Sequence, residues 1–292
     1  MSSIHKSVLI QEVISNLNLK PGDNAIDCTF GGGGHSREIL KKIAPSGKLL
    51  AIDADAGVES QKLKAENPNI IFVNDNFRNL KRIVENSFSH PVNGILMDLG
   101  LSSDQLENSG RGFTFQKDEP LDMRFDVKGD LTAAEILNSY SLENLIYIFE
   151  NFGEVSGAER LAKKILEIRR KKKFATTFDL VAAVEEAGVK SRTPKINSAT
   201  LVFQALRLAV NDELGALKEA LLAAKEILAP GGRLCVISFH ALEDKIVKNF
   251  FRDWYKAKEV KLLTKKPIAP EFGEVKANPR SRSAKLRVIE KI

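Results

Sequence analysis

Three apolar runs end in a carboxylate. They are KLLAIDA at 48–54 with Asp53, IIFVN at 70–74 followed by Asp75, and GILMDL at 94–99 with Asp98. A fourth carboxylate, Asp27, lies inside the run NAIDCTF at 24–30. An ionised group is costly to bury, so one that closes an apolar run is better placed at an edge. There it can accept hydrogen bonds from hydroxyls or amines, or hold a proton. Four successive glycines, Gly31–Gly34, separate Asp27 from His35 in CTFGGGGHS at 28–36, and a second histidine, His240, stands in SFHALED at 238–244. Glycine lets a backbone turn tightly and lets a ligand approach it closely. Neither zinc spacing nor a CxxC pair accompanies these residues, so no metal is expected. Cys28 and Cys235 each sit in an apolar run and read as small core residues.

The surrounding pattern says how such residues are positioned. Asn24–Phe30, Lys48–Ala54, Ile70–Asn74 and Gly94–Leu99 are short, apolar and bounded by turn residues, which predicts buried parallel strands. Helical patterns over 36–43, 55–65 and 80–84 alternate with them. This order predicts an α/β fold, a doubly wound and mostly parallel sheet with right-handed crossovers. From about 105 to 205 no buried strand is expected. Leu142, Leu145, Ile146 and Phe149 follow helical spacing there, as do Leu161, Ile165 and Ile168. Strand and helix resume with a helix over 213–228, a PGG turn at 230–232, a strand over 233–239 and a helix over 242–255. Two final strands are predicted at 260–263 and 286–289. The basic segment between them is long for a hairpin loop and reads as partly mobile.

The strand-then-glycine-then-helix frame excludes a flexible linker. A dinucleotide turn, GxGxxG, is only partly met: Gly31 and Gly33 fit, but Ser36 stands at the third position. Asp53, about 20 residues on, can accept both hydroxyls of a ribose, or it can be a helix N-cap, although Asp55 suits that role better. In NDNF at 74–77, Asp75 could bind an adenine amino group and Phe77 could cover the ring; a turn aspartate and a core phenylalanine are the alternatives. Asp98 falls at the switch point where ligands of such sheets bind. His35 could touch a ligand or open the helix. His240 could move a proton or cap a turn.

Net charge is +6, unevenly spread. Residues 252–292 carry 12 Lys/Arg against 5 Asp/Glu, a net of +7, and a second basic zone, 160–173, contains RRKKK at 169–173. Such clusters point to a polyanionic partner such as nucleic acid, or to solvated helix faces. No apolar run reaches the ~20 residues of a membrane span. The N-terminus lacks a secretory core, so a cytoplasmic location without membrane is expected.

The order of elements resembles the class I methyltransferases that use S-adenosyl-L-methionine, a Rossmann-like fold whose seventh strand is antiparallel. Several stretches resemble one family, the ribosomal RNA small-subunit methyltransferase H family, also called MraW. They are HKSVLIQEV at 5–13, DCTFGGGGHS at 27–36, DLGLSS at 98–103, RGFTF at 111–115, PLDMR at 120–124, NDEL at 211–214, SFHALED at 238–244 and SRSAKLR at 281–287. The resemblance implies methylation of the exocyclic amine, N4, of a cytidine in the decoding region of 16S ribosomal RNA. It implies S-adenosyl-L-methionine held by Gly33, Gly34, His35, Asp53, Phe77, Asp98 and Gln105; the last had no signal of its own. The expected partner is 16S rRNA or the small ribosomal subunit, with a homodimer left open. Residues 1–104 and 208–292 would form the cofactor domain, and 105–207 a helical insertion that recognises RNA.

Many amino-methyltransferases carry an Asn/Asp-Pro-Pro-aromatic motif after the fourth strand. Here the stretch is Asp98-Leu99-Gly100-Leu101, so that catalytic assignment does not transfer. Asp98 and His240 are the catalytic candidates: one to accept the amine's protons, the other to take a proton or position the base. Phe113, Phe115 and Phe239 could receive an unstacked base or belong to the core. Backbone contacts are expected from 160–173 and 276–287. A DNA amino-methyltransferase, a non-catalytic RNA-binding assembly factor and an NAD-dependent oxidoreductase are the competing readings.

Overall fold

A computed structural model describes residues 7–55, 63, 67–189 and 197–292. The chain divides into two compact units, Met1–Gly100 with Leu214–Ile292, and Leu101–Glu213.

The first unit is built on seven strands: β1 Ala25–Asp27, β2 Leu49–Asp53, β3 Ile70–Asn74, β4 Val92–Asp98, β5 Leu228–Ser238, β6 Val260–Leu262 and β7 Lys285–Lys291. Their spatial order is β3-β2-β1-β4-β5-β7-β6. β1 to β5 run parallel, and β7 lies antiparallel between β5 and β6. Alternate residues bury against opposite layers. Ile26, Leu50, Ile52, Ile95, Met97, Leu234 and Val236 pack with the helices Leu80–Ser87, Glu213–Ile227 and Ala241–Lys256. Ala25, Leu49, Ala51, Leu96, Cys235 and Ile237 pack with the helices Ile10–Leu17 and Gly34–Ile43. Both faces are therefore covered, which is why these strands read as unbroken apolar runs.

The helix predicted over 55–65 lies outside the described residues, apart from Asp55 and a buried Leu63. The PGG at 230–232 does not precede β5 but is looped out within it. Register passes from Val92 opposite Leu228 to Gly94 opposite Arg233, so pairing begins before the turn. The segment before β7 is more built than its composition suggested. Ile268 exchanges two backbone hydrogen bonds with Leu286, at 2.9 and 2.8 Å. A helix, Phe272–Ala277, and a 3-10 turn, Pro279–Ser283, follow. SFHALED and SRSAKLR meet here. Asp244 takes Arg287 Nε at 2.7 Å and Lys285 Nζ at 3.3 Å, tying the helix Ala241–Lys256 to β7. Burial alone would raise the Asp244 carboxyl, but these two cations hold it below its ordinary value.

The second unit is helical, with no strand among its described residues. Its helices are Ser103–Glu107, Ala133–Ser139, Leu142–Asn151, Ala158–Arg169, Thr177–Glu186 and Ser198–Asn211. Leu145, Phe149, Leu161 and Ile165 are fully buried in one core, matching the spacing read from sequence. Several starts are capped by side chains: Thr132 accepts from Glu135 N and Ser141 from Asn144 N, and Thr176 with Asp179 closes a capping box. RGFTF, PLDMR and NDEL form one knot. Arg111 Nη1 donates to Arg124 O and Phe125 O, and Asn211 Nδ2 to Met123 O at 2.7 Å. Glu213 pairs with Arg207 at 2.8 Å.

Candidate active site

The glycine turn leaves β1 directly. Asp27 is fully buried, and its Oδ2 accepts from Ser36 Oγ at 2.6 Å. Its Oδ1 accepts from Thr29 N at 3.1 Å. Burial pushes the Asp27 carboxyl up, against the pull of these bonds. Ser36, the residue that breaks the dinucleotide pattern, thus anchors the helix Gly34–Ile43 to the strand before it. Gly31 and Gly33 have φ of 50° and 70°, in the left-handed region. A methyl on Gly33 would lie 2.7 Å from the Phe30 ring, and one on Gly34 only 2.0 Å from Ser7 Oγ. Bareness at these two positions serves internal packing as well as any ligand. Ser7 lies over the turn, a contact no local sequence signal announced.

His35 is buried and bridges two parts of this arrangement. Its Nε2 lies 3.0 Å from Val8 O, and its Nδ1 3.5 Å from Asp98 Oδ2. Asp98 closes β4, and its backbone N–H donates to Thr29 Oγ1 at 2.7 Å. Asp98 Oδ1 is buried and has no partner among the described residues. Burial, followed by repulsion from Asp27 and Glu243, pushes the Asp98 carboxyl well above its ordinary value.

Asp53 closes β2. Its Oδ2 accepts from Gly31 N at 2.6 Å and its Oδ1 from Asp55 N at 2.8 Å. The carboxylate therefore sits against the glycine turn, each oxygen keeping a second lone pair. Burial pushes its pKa up to about 6 despite those two bonds. Asp75 is engaged differently. Asn79 Nδ2 and Asn76 N donate to its Oδ1 at 2.8 and 2.7 Å, and Arg82 pairs with its Oδ2. Those partners make it the loop's organiser. Phe77 opens a short 3-10 turn, partly buried against the sheet's core.

His240 caps the helix Ala241–Lys256. Its Nδ1 accepts from Glu243 N at 3.4 Å, while Glu243 Oε2 accepts from Phe239 N and His240 N at 2.8 and 3.2 Å. Of the two roles left open by the sequence, the geometry displays the cap. With Nδ1 accepting, the neutral ring carries its proton on Nε2, which lies 3.2 Å from Glu243 Oε1 but is buried without a hydrogen-bond partner among the described residues. Asp98 and His240 nonetheless follow neighbouring strands, since Asp98 pairs with Ile237 of β5. Phe239 lies beside Gly100, where a methyl would sit 3.4 Å from its ring.

The structure brings the glycine turn, His35, Asp53 and Asp98 into one set of contacts at the carboxyl edge of the sheet. Gln105 belongs to the second unit, where its Oε1 accepts from Ser102 N and its N–H donates to Ser102 Oγ, a capping box. Phe113 is a core residue of that unit and Phe115 is half-buried against the same core, packed on Phe125 and Phe203 with ring centroids 5.7 and 5.5 Å apart. Within 160–173, Lys163, Lys164 and Lys172 pair with acids, and Arg160 and Arg169 bind backbone carbonyls. Arg170, Lys171 and Lys173 are exposed and make no ion pair among the described residues. Thr29, Ser36 and Glu243 were missed from sequence. The first two carried the signal of hydroxyls beside a buried aspartate, and Glu243 that of an acid three residues after the residue before a helix.

An antiparallel β7 slotted between β5 and β6 distinguishes this sheet from a plain doubly wound one, and with a glycine turn after β1 it defines a class I methyltransferase fold. The chain belongs to the MraW methylase family, whose profile matches residues 2–292. The ribosomal RNA small subunit methyltransferase H of Clostridioides difficile is 42% identical over 307 residues, covering 99% of this chain and 99% of that protein. The enzymes of the same name from Thermomicrobium roseum and Dictyoglomus thermophilum are each 45% identical, over 100% of this chain and 95% and 98% of theirs.

Proposed function

We propose that this chain transfers the methyl group of S-adenosyl-L-methionine to N4 of a cytidine in the decoding region of 16S rRNA. Family membership supports the reaction class and the small-subunit RNA. The observation that carries the site is Asp98: a half-buried carboxyl group, 21% exposed, whose Oδ1 is buried and unpartnered among the described residues, beside the glycine turn and at the end of β4. Asp27, Glu243 and Asp98 make this edge electronegative. Such a pocket fits a cationic ligand, and S-adenosyl-L-methionine carries both a sulfonium and an ammonium.

The cofactor, when bound, supplies an electrophilic methyl on sulfur. The chain's residues do the rest. Asp53 takes the ribose hydroxyls with its free lone pairs while Gly31 N fixes its orientation. Phe77 flanks the adenine. Gly33, Gly34 and His35 complete the cofactor contacts of this unit. Asp98 accepts hydrogen bonds from a cationic group or from the cytidine amine, whose lone pair is otherwise spread into the ring. His240 and Glu243 fix the end of β5 next to it, so His240 acts by positioning. The main catalytic terms are alignment and electrostatics. The helical unit and the exposed cations of 160–173 and 276–287 hold the RNA backbone, in the cytoplasm where ribosomal subunits are assembled.

The test is methyl transfer to small-subunit RNA from cells lacking this protein, followed by nucleoside mass analysis. N4-methylcytidine at one position is the expected product. Methyl on another atom, or incorporation into duplex DNA instead, would overturn the assignment.

A further inference from the structure

Phe272 is 83% exposed, far more than any other aromatic residue among the described residues. It opens the helix Phe272–Ala277, in the segment between β6 and β7. That segment, 264–283, holds Lys265, Lys266, Lys276, Arg280 and Arg282 against Glu271 and Glu274, a net of +3. All five cations are exposed. Lys276 stands four residues after Phe272, on the same helix face. Of the two acids, Glu274 is committed elsewhere, its Oε1 accepting from Leu9 N at 2.8 Å.

The ring does not hang from a loose loop. Ile268 is bonded to Leu286 on one side of the helix, and on the other Ser281 N and Oγ donate to Asn278 O at 3.0 and 2.8 Å. Glu274 fastens the helix itself to Leu9. Val8, the neighbour of Leu9, offers its carbonyl to His35, and His35 reaches Asp98. The platform is thus attached, through one short run of backbone, to the residue that carries the site.

An exposed aromatic ring among exposed cations is the pairing that binds single-stranded nucleic acid: bases stack on the ring and phosphates meet the charges. We infer that Phe272 is a stacking platform for an unpaired base of the RNA substrate flanking the target, with Lys276 on the adjoining phosphate. This rests on the proposed RNA-methyltransferase reading.

The test uses the whole protein, a fluorescent single-stranded 16S rRNA fragment and S-adenosyl-L-methionine. Phe272→Ala is expected to weaken RNA binding about tenfold, and Phe272→Trp to restore it with quenching of the new tryptophan's fluorescence on RNA addition. Lys276→Gln is expected to lower the salt slope by about one. Cofactor affinity by calorimetry should match the parent in all three. Parent-like RNA binding by Phe272→Ala overturns the inference, as does a change in self-association with no change in RNA binding. If the parent neither binds nor methylates small-subunit RNA, the functional reading itself fails, and this inference with it. If the parent does both and Phe272→Ala is indistinguishable from it, only the platform is lost.

Discussion

His35 Nδ1 lies 3.5 Å from Asp98 Oδ2, while the other nitrogen of the ring faces Val8 O at 3.0 Å. A carbonyl only accepts, so Nε2 carries a proton. The proton between Nδ1 and Asp98 then belongs either to the ring or to the carboxyl. Burial, followed by repulsion from Asp27 and Glu243, raises the Asp98 carboxyl well above its ordinary value in the free protein. A cationic ligand acts in the opposite direction. Binding of S-adenosyl-L-methionine is therefore expected to release up to about one proton and to tighten as pH rises. Calorimetry in two buffers of different ionisation heat measures this. Asp98→Asn should flatten the pH dependence and weaken binding by about tenfold or more; parent-like behaviour in that variant would remove Asp98 from the cofactor site.

Asp53 makes a separate statement about pH. Its carboxyl titrates near 6 in the folded chain against 3.8 in the unfolded one. A raised acid favours the folded state while protonated. Its contribution is thus complete below pH 4 and fades as pH rises through about 6. Asp53→Asn is expected to gain about 1 kcal/mol at pH 8, the full shift being discounted for one lost backbone acceptor, and to gain nothing at pH 4. Denaturant midpoints at the two pH values give the comparison. Equal effects at both would show that Asp53 carries no folding-linked proton.

His240 can be separated from a general base by choice of substituent. His240→Ala should cost about 1 kcal/mol through the lost cap. His240→Asn supplies another good cap and is expected to recover both the stability and most of the single-turnover transfer rate. A His240→Asn protein as stable as the parent but inactive would make the ring a proton carrier.

Gly34 tests the seating of the N-terminal segment. Gly34→Ala places a methyl 2.0 Å from Ser7 Oγ and should cost about 1–3 kcal/mol by overpacking. Ser7→Gly in the same chain should return much of that loss. Additive single effects would mean that Ser7 does not lie on the turn in solution.

The parallel strands and most of the covering helices, though not Ile10–Leu17, were legible because period and length separate a doubly buried strand from an amphipathic helix. β3 falls on Ile70–Asn74 as read. Asp98 was legible too, as a charge at the end of an apolar run. The contact of Ser7 with Gly34 was not, because it is a tertiary packing event between residues 27 positions apart. His240 could not be assigned because a cap and a base present the same residue before a helix; only Glu243, three residues on, hinted at the capping box. The looped-out PGG looked like an ordinary turn because a bulge depends on what the neighbouring strand does.

The bond from Leu9 N to Glu274 Oε1 joins residues 265 positions apart, and β7, synthesised after the other six strands, lies inside the sheet rather than at its edge. During translation the glycine turn is made early. The residue that fastens the backbone over it, and the strand that lets β6 join, both leave the ribosome late. A nascent chain stalled before residue 274 thus carries every carboxylate of the site yet lacks the latch above the turn. Nascent-chain proteolysis with and without S-adenosyl-L-methionine should show protection of the turn only after that point.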